Sequence, residues 1–259
     1  MKELINKWIC DFIADYEAQP EISTEWGEPA VGFADARSPY IQNLPELISS
    51  SHGLPQDIME EATIVIAYFV PFTRALAKSN NNGGEYASEQ WANAYEQTNA
   101  MFGRLNSYII DKLSEYGYMG AVHPAAGTFD HDNLISDWSF RHFAYAAGLG
   151  TFGLNNMLIT PKGCCGRYNT IVTNLDVSAD KPMERELCLY RANGSCGICM
   201  RNCPAGAISE DGYDRHRCYE ILCKNAEIYR LENNSYEGCS GSEVCGKCVT
   251  GSPCAFWNR

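Results

Sequence analysis

The sequence has no apolar run long enough to span a bilayer. Its longest, Thr63 to Phe72, is about ten residues, against the ~20 a membrane helix needs. It is poor in positive charge: 20 Lys and Arg stand against 32 Asp and Glu, a net charge of −12. A chain that grips nucleic acid over a large area normally carries a basic face, so nucleic acid is disfavoured, although a local basic patch is compatible with this total. The N-terminus has no unbroken apolar segment, because Glu3, Asp11 and Asp15 interrupt it, so it does not read as a signal peptide. Internal repeats are absent apart from a cysteine pattern. The 45% apolar and 20% charged composition excludes a disordered or fibrous chain. These features predict a soluble, cytoplasmic protein with no membrane association.

Cysteine is scarce through residue 187, where only Cys10, Cys164 and Cys165 occur. It then becomes dense, with ten of the 13 cysteines falling between Cys188 and Cys254. With no export signal the thiols are expected to stay reduced, which makes a metal-binding cluster a better reading than disulfides. The composition shift places a domain boundary near residue 185, giving an α/β domain over 1–184 and a cysteine-rich domain over 185–259.

Within the first domain, Leu4, Ile5, Trp8, Ile9, Phe12, Ile13 and Tyr16 form one apolar stripe, which predicts a helix over 3–17. Residues 29–34 and 62–68 read as buried strands, and 79–84 (SNNNGG) as a turn or loop. A long helix is predicted over 86–116. Another is predicted from a Ser136 cap to a glycine stop at Gly148, with strands at 157–159 and 170–172. Gly148-Leu149-Gly150-Thr151-Phe152-Gly153 matches the dinucleotide pattern G-x-G-x-x-G, but a helix precedes it and a strand follows. That is the reverse of the order that sets phosphate on a helix N-terminus, so nicotinamide binding is not expected there.

In the second domain, Cys196-Gly-Ile-Cys199-Met-Arg-Asn-Cys203-Pro204 has the C-x2-C-x3-C-P ending of two-cluster ferredoxins. Cys245-Gly-Lys-Cys248, with Cys254 beyond, mirrors it. Cys188 and Cys239 lie upstream of the two runs. Two [4Fe–4S] clusters explain the thiol count and the proline. Zinc pairs usually lie ~15–20 residues apart, much closer than Cys199 is to Cys245, and zinc leaves the proline unexplained. Cys10 and Cys223 read as core residues. The vicinal Cys164-Cys165 pair reads as packing or as facing a redox site. Histidines 52, 123, 131, 142 and 216 form no metal-spacing pair.

Several segments together resemble a known family. Ala147-Gly148-Leu149-Gly150-Thr151-Phe152-Gly153-Leu154-Asn155 with Leu158-Ile159, the run from Cys196 to Ile208, Arg215-His-Arg217-Cys218, and Cys254-Ala-Phe-Trp257-Asn258-Arg259 are similar to motifs of the epoxyqueuosine reductases. The order and spacing agree from about Val31 to the end, and the reductive dehalogenases are more distant relatives. The resemblance implies a nitroreductase-like α/β sandwich that binds cobalamin, followed by a double [4Fe–4S] ferredoxin-like domain. Electrons would pass through the clusters to the cobalt and then to substrate.

By position, the resemblance assigns Cys188, Cys196, Cys199 and Cys254 to one cluster. It assigns Cys203, Cys245 and Cys248 to the other, with Cys218 or Cys239 as fourth ligand and the remaining one spare. Gly148, Gly150 and Asn155 would line the cofactor pocket. The family's proton-donating aspartate lies about fourteen residues before the first of these glycines. Counting back without gaps reaches Leu134, while Asp132 and Asp137 are nearby, and Asp137 is the candidate catalytic acid. A ferredoxin or flavodoxin would be the electron donor. A small-molecule or protein-bound substrate is expected ahead of tRNA, because of the acidic charge and because the family's tRNA-holding C-terminal extension does not follow Arg259. The competing readings are a cobalamin-free electron carrier or corrinoid-protein reductase, and a zinc-stabilised interaction module.

Overall fold

The apolar run beginning at Ala62 becomes the centre of the molecule because it is apolar on both faces. A computed structural model describes residues 1–82, 84–124, 129–229 and 242–256. The strands are β1 (Ala30–Asp35), β2 (Ile64–Pro71), β3 (Gly120–Ala121), β4 (Phe129–Asp130), β5 (Ile135–Ser136), β6 (Thr151–Phe152), β7 (Leu158–Ile159), β8 (Gly166–Thr173), β9 (Ile208–Ser209) and β10 (Gly212–Tyr213). The helices are α1 (Lys2–Glu17), α2 (Pro39–Gln42), α3 (Leu44–Leu47), α4 (Pro55–Ile58), α5 (Arg74–Asn82), α6 (Glu89–Glu115), α7 (Phe140–Ala146), α8 (Leu189–Asn193), α9 (Ile198–Asn202), α10 (Arg215–Ile228) and α11 (Lys247–Thr250).

The main sheet is antiparallel in the order β1-β2-β8-β3. All eight residues of β2 are buried. Period-2 alternation sends Ile64, Ile66, Tyr68 and Val70 to a core shared with α1 and α6, and Val65, Ala67 and Phe69 to a second core with Phe143, Ala144 and Ala147. The fold is therefore mixed α/β, with helices on both faces of the sheet. Among the described residues, no helix is long and apolar enough to cross a membrane.

The cysteine-rich chain shares the first of these cores: Cys188, Cys199, Ile208, Val244 and Val249 belong to the same buried cluster as Trp91 and Phe72. Polar residues fasten it as well. The stretch expected to be a loop at 79–84 is helical as far as Asn82, a correction with a clear cause. Asn80 is fully buried, its Nδ2 donates to the Cys245 carbonyl at 2.8 Å, and its Oδ1 accepts from the Ser88 amide at 3.0 Å. Asn81 exchanges hydrogen bonds with Thr250, and Lys247 Nζ donates to the Asn80 carbonyl. These asparagines look like a loop composition, yet they supply the donors and acceptors that the tail backbone lacks. Asn80→Ala is expected to leave a buried carbonyl and amide unpaired, at roughly 1–3 kcal/mol each. Chemical denaturation should show a loss of about that size; an unchanged midpoint would contradict it.

A second correction concerns α7. The predicted helix start at Ser136 is instead strand β5 and a tight turn, in which Ser136 Oγ and Trp138 share hydrogen bonds; the helix begins after Ser139. Its end falls as predicted. Gly148 at φ +72 closes it, with Gly148 N donating to Tyr145 O and Leu149 N to Ala144 O, the paired bonds of a Schellman stop.

Candidate functional site

The structure sorts eight cysteines into two groups. Cys188, the N-cap of α8, lines one apolar pocket together with Cys196, Cys199 of α9 and Cys254, beside Leu154, Asn155 and Ile159. The second group collects Cys203 at the end of α9, Cys218 on α10, Cys245, and Cys248 on α11. Burial pushes the Cys248 thiol up, and mutual repulsion with Cys245, Cys218, Cys203 and Cys199 adds to this, so these thiols lie within electrostatic reach of one another. Burial likewise raises Cys199 and Cys245 to about 11. Asn155 Nδ2 donates to the Cys248 carbonyl at 3.4 Å, linking the two groups. Among the described residues, no three His, Cys, Asp or Glu side chains converge on a single-ion site. Cys239 lies outside the described residues.

The remaining thiols separate clearly. Cys10 is half-buried on α1, and Cys223, also half-buried, sits by Tyr219 and Glu243. Cys164 and Cys165 are fully buried. Their amides donate to the Cys254 and Ala255 carbonyls, and Cys164 Sγ points at Cys254 Sγ, 3.8 Å away. That thiol and the Ser252 hydroxyl donate to Cys254 and draw its ionisation down.

Next to the second thiol group lies a cavity of about 640 Å³, open to solvent. Tyr213, Arg215 and Arg141 line it together with Met157, Asn156, Tyr168, Trp138 and Ser139. Tyr213 lies close to the Cys218 thiol, and Arg141 feels both Tyr213 and Cys248, so this lining borders the thiols. Leu134 (φ +54) and Asn156 (φ +58) are the non-glycine residues held at positive φ among those described, and both line this cavity. Such backbone costs of order 1–3 kcal/mol and concentrates at functional sites. Nothing in the sequence marks Arg141 or Tyr213: each reads as an ordinary polar residue of a short element, and only the fold turns them inward.

Asp137 lies between two residues that line the cavity, Ser136 and Trp138. Its Oδ1 is buried without a hydrogen-bond partner, and it acts electrostatically on His52 and His123. The Trp138 ring stacks on His123 at 4.9 Å and on Phe143 at 4.2 Å. His52 Nε2 accepts from the Ser139 amide while Nδ1 faces the Gly53 carbonyl, which fixes it as a neutral Nδ1–H tautomer. Burial lowers His52 and His123, and burial with the Arg141 charge lowers His142 to about 4.

The pH sign follows from these depressed values. The unfolded chain takes up protons below ~6.5 while the fold holds these rings neutral, so stability rises with pH through this window. It is full above ~6.5 and falls as pH drops toward about 4, where His142 titrates in the fold. Melting temperatures between these limits should decline on acidification, less so in His142→Gln. Parallel curves would refute the assignment.

Gly148 and Gly150 sit away from this cavity. A Cβ on Gly148 would lie 2.3 Å from the Lys181 carbonyl oxygen, and one on Gly150 would lie 1.9 Å from that of Ile159, so both glycines admit close backbone approach. Asn155 lines the pocket of the first thiol group.

The fold and these thiols describe a mixed α/β protein with two cysteine groups, the second beside an open cavity. Comparison with known proteins gives it relatives. The chain is 26% identical over 207 residues to the epoxyqueuosine reductase of Bacillus anthracis, covering 74% of this chain and 50% of that protein. It is 34% identical over 128 residues to the tetrachloroethene reductive dehalogenase of Desulfitobacterium hafniense, 45% of this chain and 21% of that one. A crystal structure of epoxyqueuosine reductase with an epoxyqueuosine-modified tRNA-Tyr stem loop superposes with a TM-score of 0.57 at 17% identity, over 97% of this chain and 65% of that one. No family model matches. The chain spans about half the length of the curated epoxyqueuosine reductases it matches.

Proposed function

We propose that this chain is a cytoplasmic iron–sulfur reductase of the epoxyqueuosine reductase type. In this reading a nitroreductase-like domain over 1–184 carries a corrinoid, and a ferredoxin-like domain over 185–259 carries two [4Fe–4S] clusters. The observation that carries the reading is the division of eight thiols into two groups of four, the second sharing a wall with the open cavity. The donor set fits cubanes: each wants four soft thiolates, and the groups offer Cys188, Cys196, Cys199 and Cys254, then Cys203, Cys218, Cys245 and Cys248. Buried thiols with raised ionisation are poor free nucleophiles but become ligands once iron supplies the compensating charge.

A corrinoid also fits the cavity, because a flat macrocycle ringed with amides meets donors on Ser136 and Ser139 beside the apolar Trp138 and Met157. When bound, the clusters and the corrinoid supply low-potential electrons and a strongly reducing metal. The chain's own residues do the rest. Tyr213 and Arg141 lie between the thiols and the cavity, Asn155 ties the two cysteine groups together, and Asp137 holds a carboxyl group whose Oδ1 is buried without a hydrogen-bond partner. A ferredoxin or flavodoxin would deliver the electrons.

Anaerobic reconstitution tests the reading: about eight irons per chain support it, and a protein that binds zinc instead overturns it. Asp137→Asn is expected to abolish turnover with cluster spectra unchanged; an active variant would remove Asp137 as the proton donor.

A further inference from the structure

In a chain of net charge −12, the cavity wall is conspicuously free of acid. None of the residues lining it is Asp or Glu, while Arg141, Arg167 and Arg215 all contribute. Arg167 is already engaged, its guanidinium lying 4.0 Å from the centre of the Tyr95 ring. The other two have no carboxylate in ion-pair range among the described residues. Among the described residues, Arg141 donates to the Asn156 carbonyl and Met157 Sδ. Arg215, at the start of α10, comes within repulsive reach of Arg141. Two guanidinium groups held near one another repel, which an anion joining them relieves, and guanidinium is suited to bidentate capture of carboxylate or phosphate. Neighbouring Arg217, by contrast, faces Asp214 at 3.6 Å.

We propose that Arg141 and Arg215 form an oxyanion site and that the cavity takes a small substrate bearing a carboxylate or phosphate group. This rests on the cavity being the reaction chamber of the reductase proposed above. The cavity is a pocket in a chain that is acidic overall, so a small anion suits it better than an extended nucleic acid backbone.

Calorimetric titration of the cluster-loaded protein tests this with inorganic phosphate, succinate and a short RNA stem loop, alongside a separate corrinoid titration. The expected result is that phosphate or succinate binds, that Arg215→Gln weakens it about tenfold or more, and that Arg217→Gln leaves it unchanged, with iron content and corrinoid affinity retained in both variants. Absence of small-anion binding with corrinoid affinity intact overturns the inference and leaves the reductase reading standing. Arg215-dependent binding of the RNA alone overturns it in favour of a nucleic acid substrate. Equal weakening by both variants reduces it to general charge. A fall in corrinoid affinity in Arg215→Gln would give the arginines to that cofactor's own phosphate, also overturning the substrate assignment. Anion binding without any corrinoid binding would instead uphold the site and defeat the corrinoid reading.

Discussion

Cys218→Ala is expected to take the reconstituted protein from about eight irons toward about four, and to stop electron delivery, while Cys239→Ala keeps about eight. The reason is placement. Cys218 projects from α10 toward Cys203, Cys245 and Cys248, and its thiol lies close to Tyr213, which lines the cavity. Losing it would remove a ligand from the group nearest the cavity, so the remaining group could still fill but would have no route onward. Iron analysis with reduction kinetics reads both effects. Full iron in Cys218→Ala with a deficit in Cys239→Ala would reverse the ligand assignment.

Gly246→Ala should do comparable damage by a different route. Gly246 lies between Cys245 and Lys247 at φ +74, and a Cβ there would stand 2.4 Å from Trp91 ring carbons. Trp91 cannot yield easily: it is buried, and its ring packs edge-on to Phe72 at 5.0 Å. Left-handed backbone costs roughly 1–2 kcal/mol in a non-glycine residue and overpacking ~1–3 kcal/mol more, so the loop carrying Cys245 and Cys248 must shift. The equivalent glycine of the other run is a natural control. Gly197 sits at φ +148, but its Cβ would meet the flexible tip of Met200 at 2.9 Å, so Gly197→Ala should be milder. Denaturation midpoints and iron content of the two variants give the comparison; equal losses would show that the Trp91 contact is not what fixes the loop.

What the sequence revealed depended on how local the cause was. The run 62–68 was legible as a buried strand because its residues are apolar on both faces, and the stop at Gly148 because a left-handed residue is needed there. The cysteine spacing marked two runs for the same reason: neighbouring thiols are presented by a few residues of chain. Ser79–Asn82 misled because the partners of those amides lie about 165 residues away, at Cys245 and Thr250. Ser136 was misread because its hydroxyl serves a turn to Trp138 rather than a helix end. The choice between Cys218 and Cys239 was closed to sequence, since only the packing of α10 brings Cys218 to the second group. The cavity was closed to it too, since Arg141, Tyr213 and Arg215 come from three separate elements.

The central claim is that electrons leaving the second thiol group reach a corrinoid in the adjoining cavity. Anaerobic titration of the cluster-loaded protein with cob(II)alamin, followed by electron paramagnetic resonance, tests it most directly. The account predicts a shift to a base-off signal that saturates near one equivalent with cluster signals intact. A free-cobalamin spectrum that stays unchanged beside intact clusters would contradict it and make the chain an electron carrier.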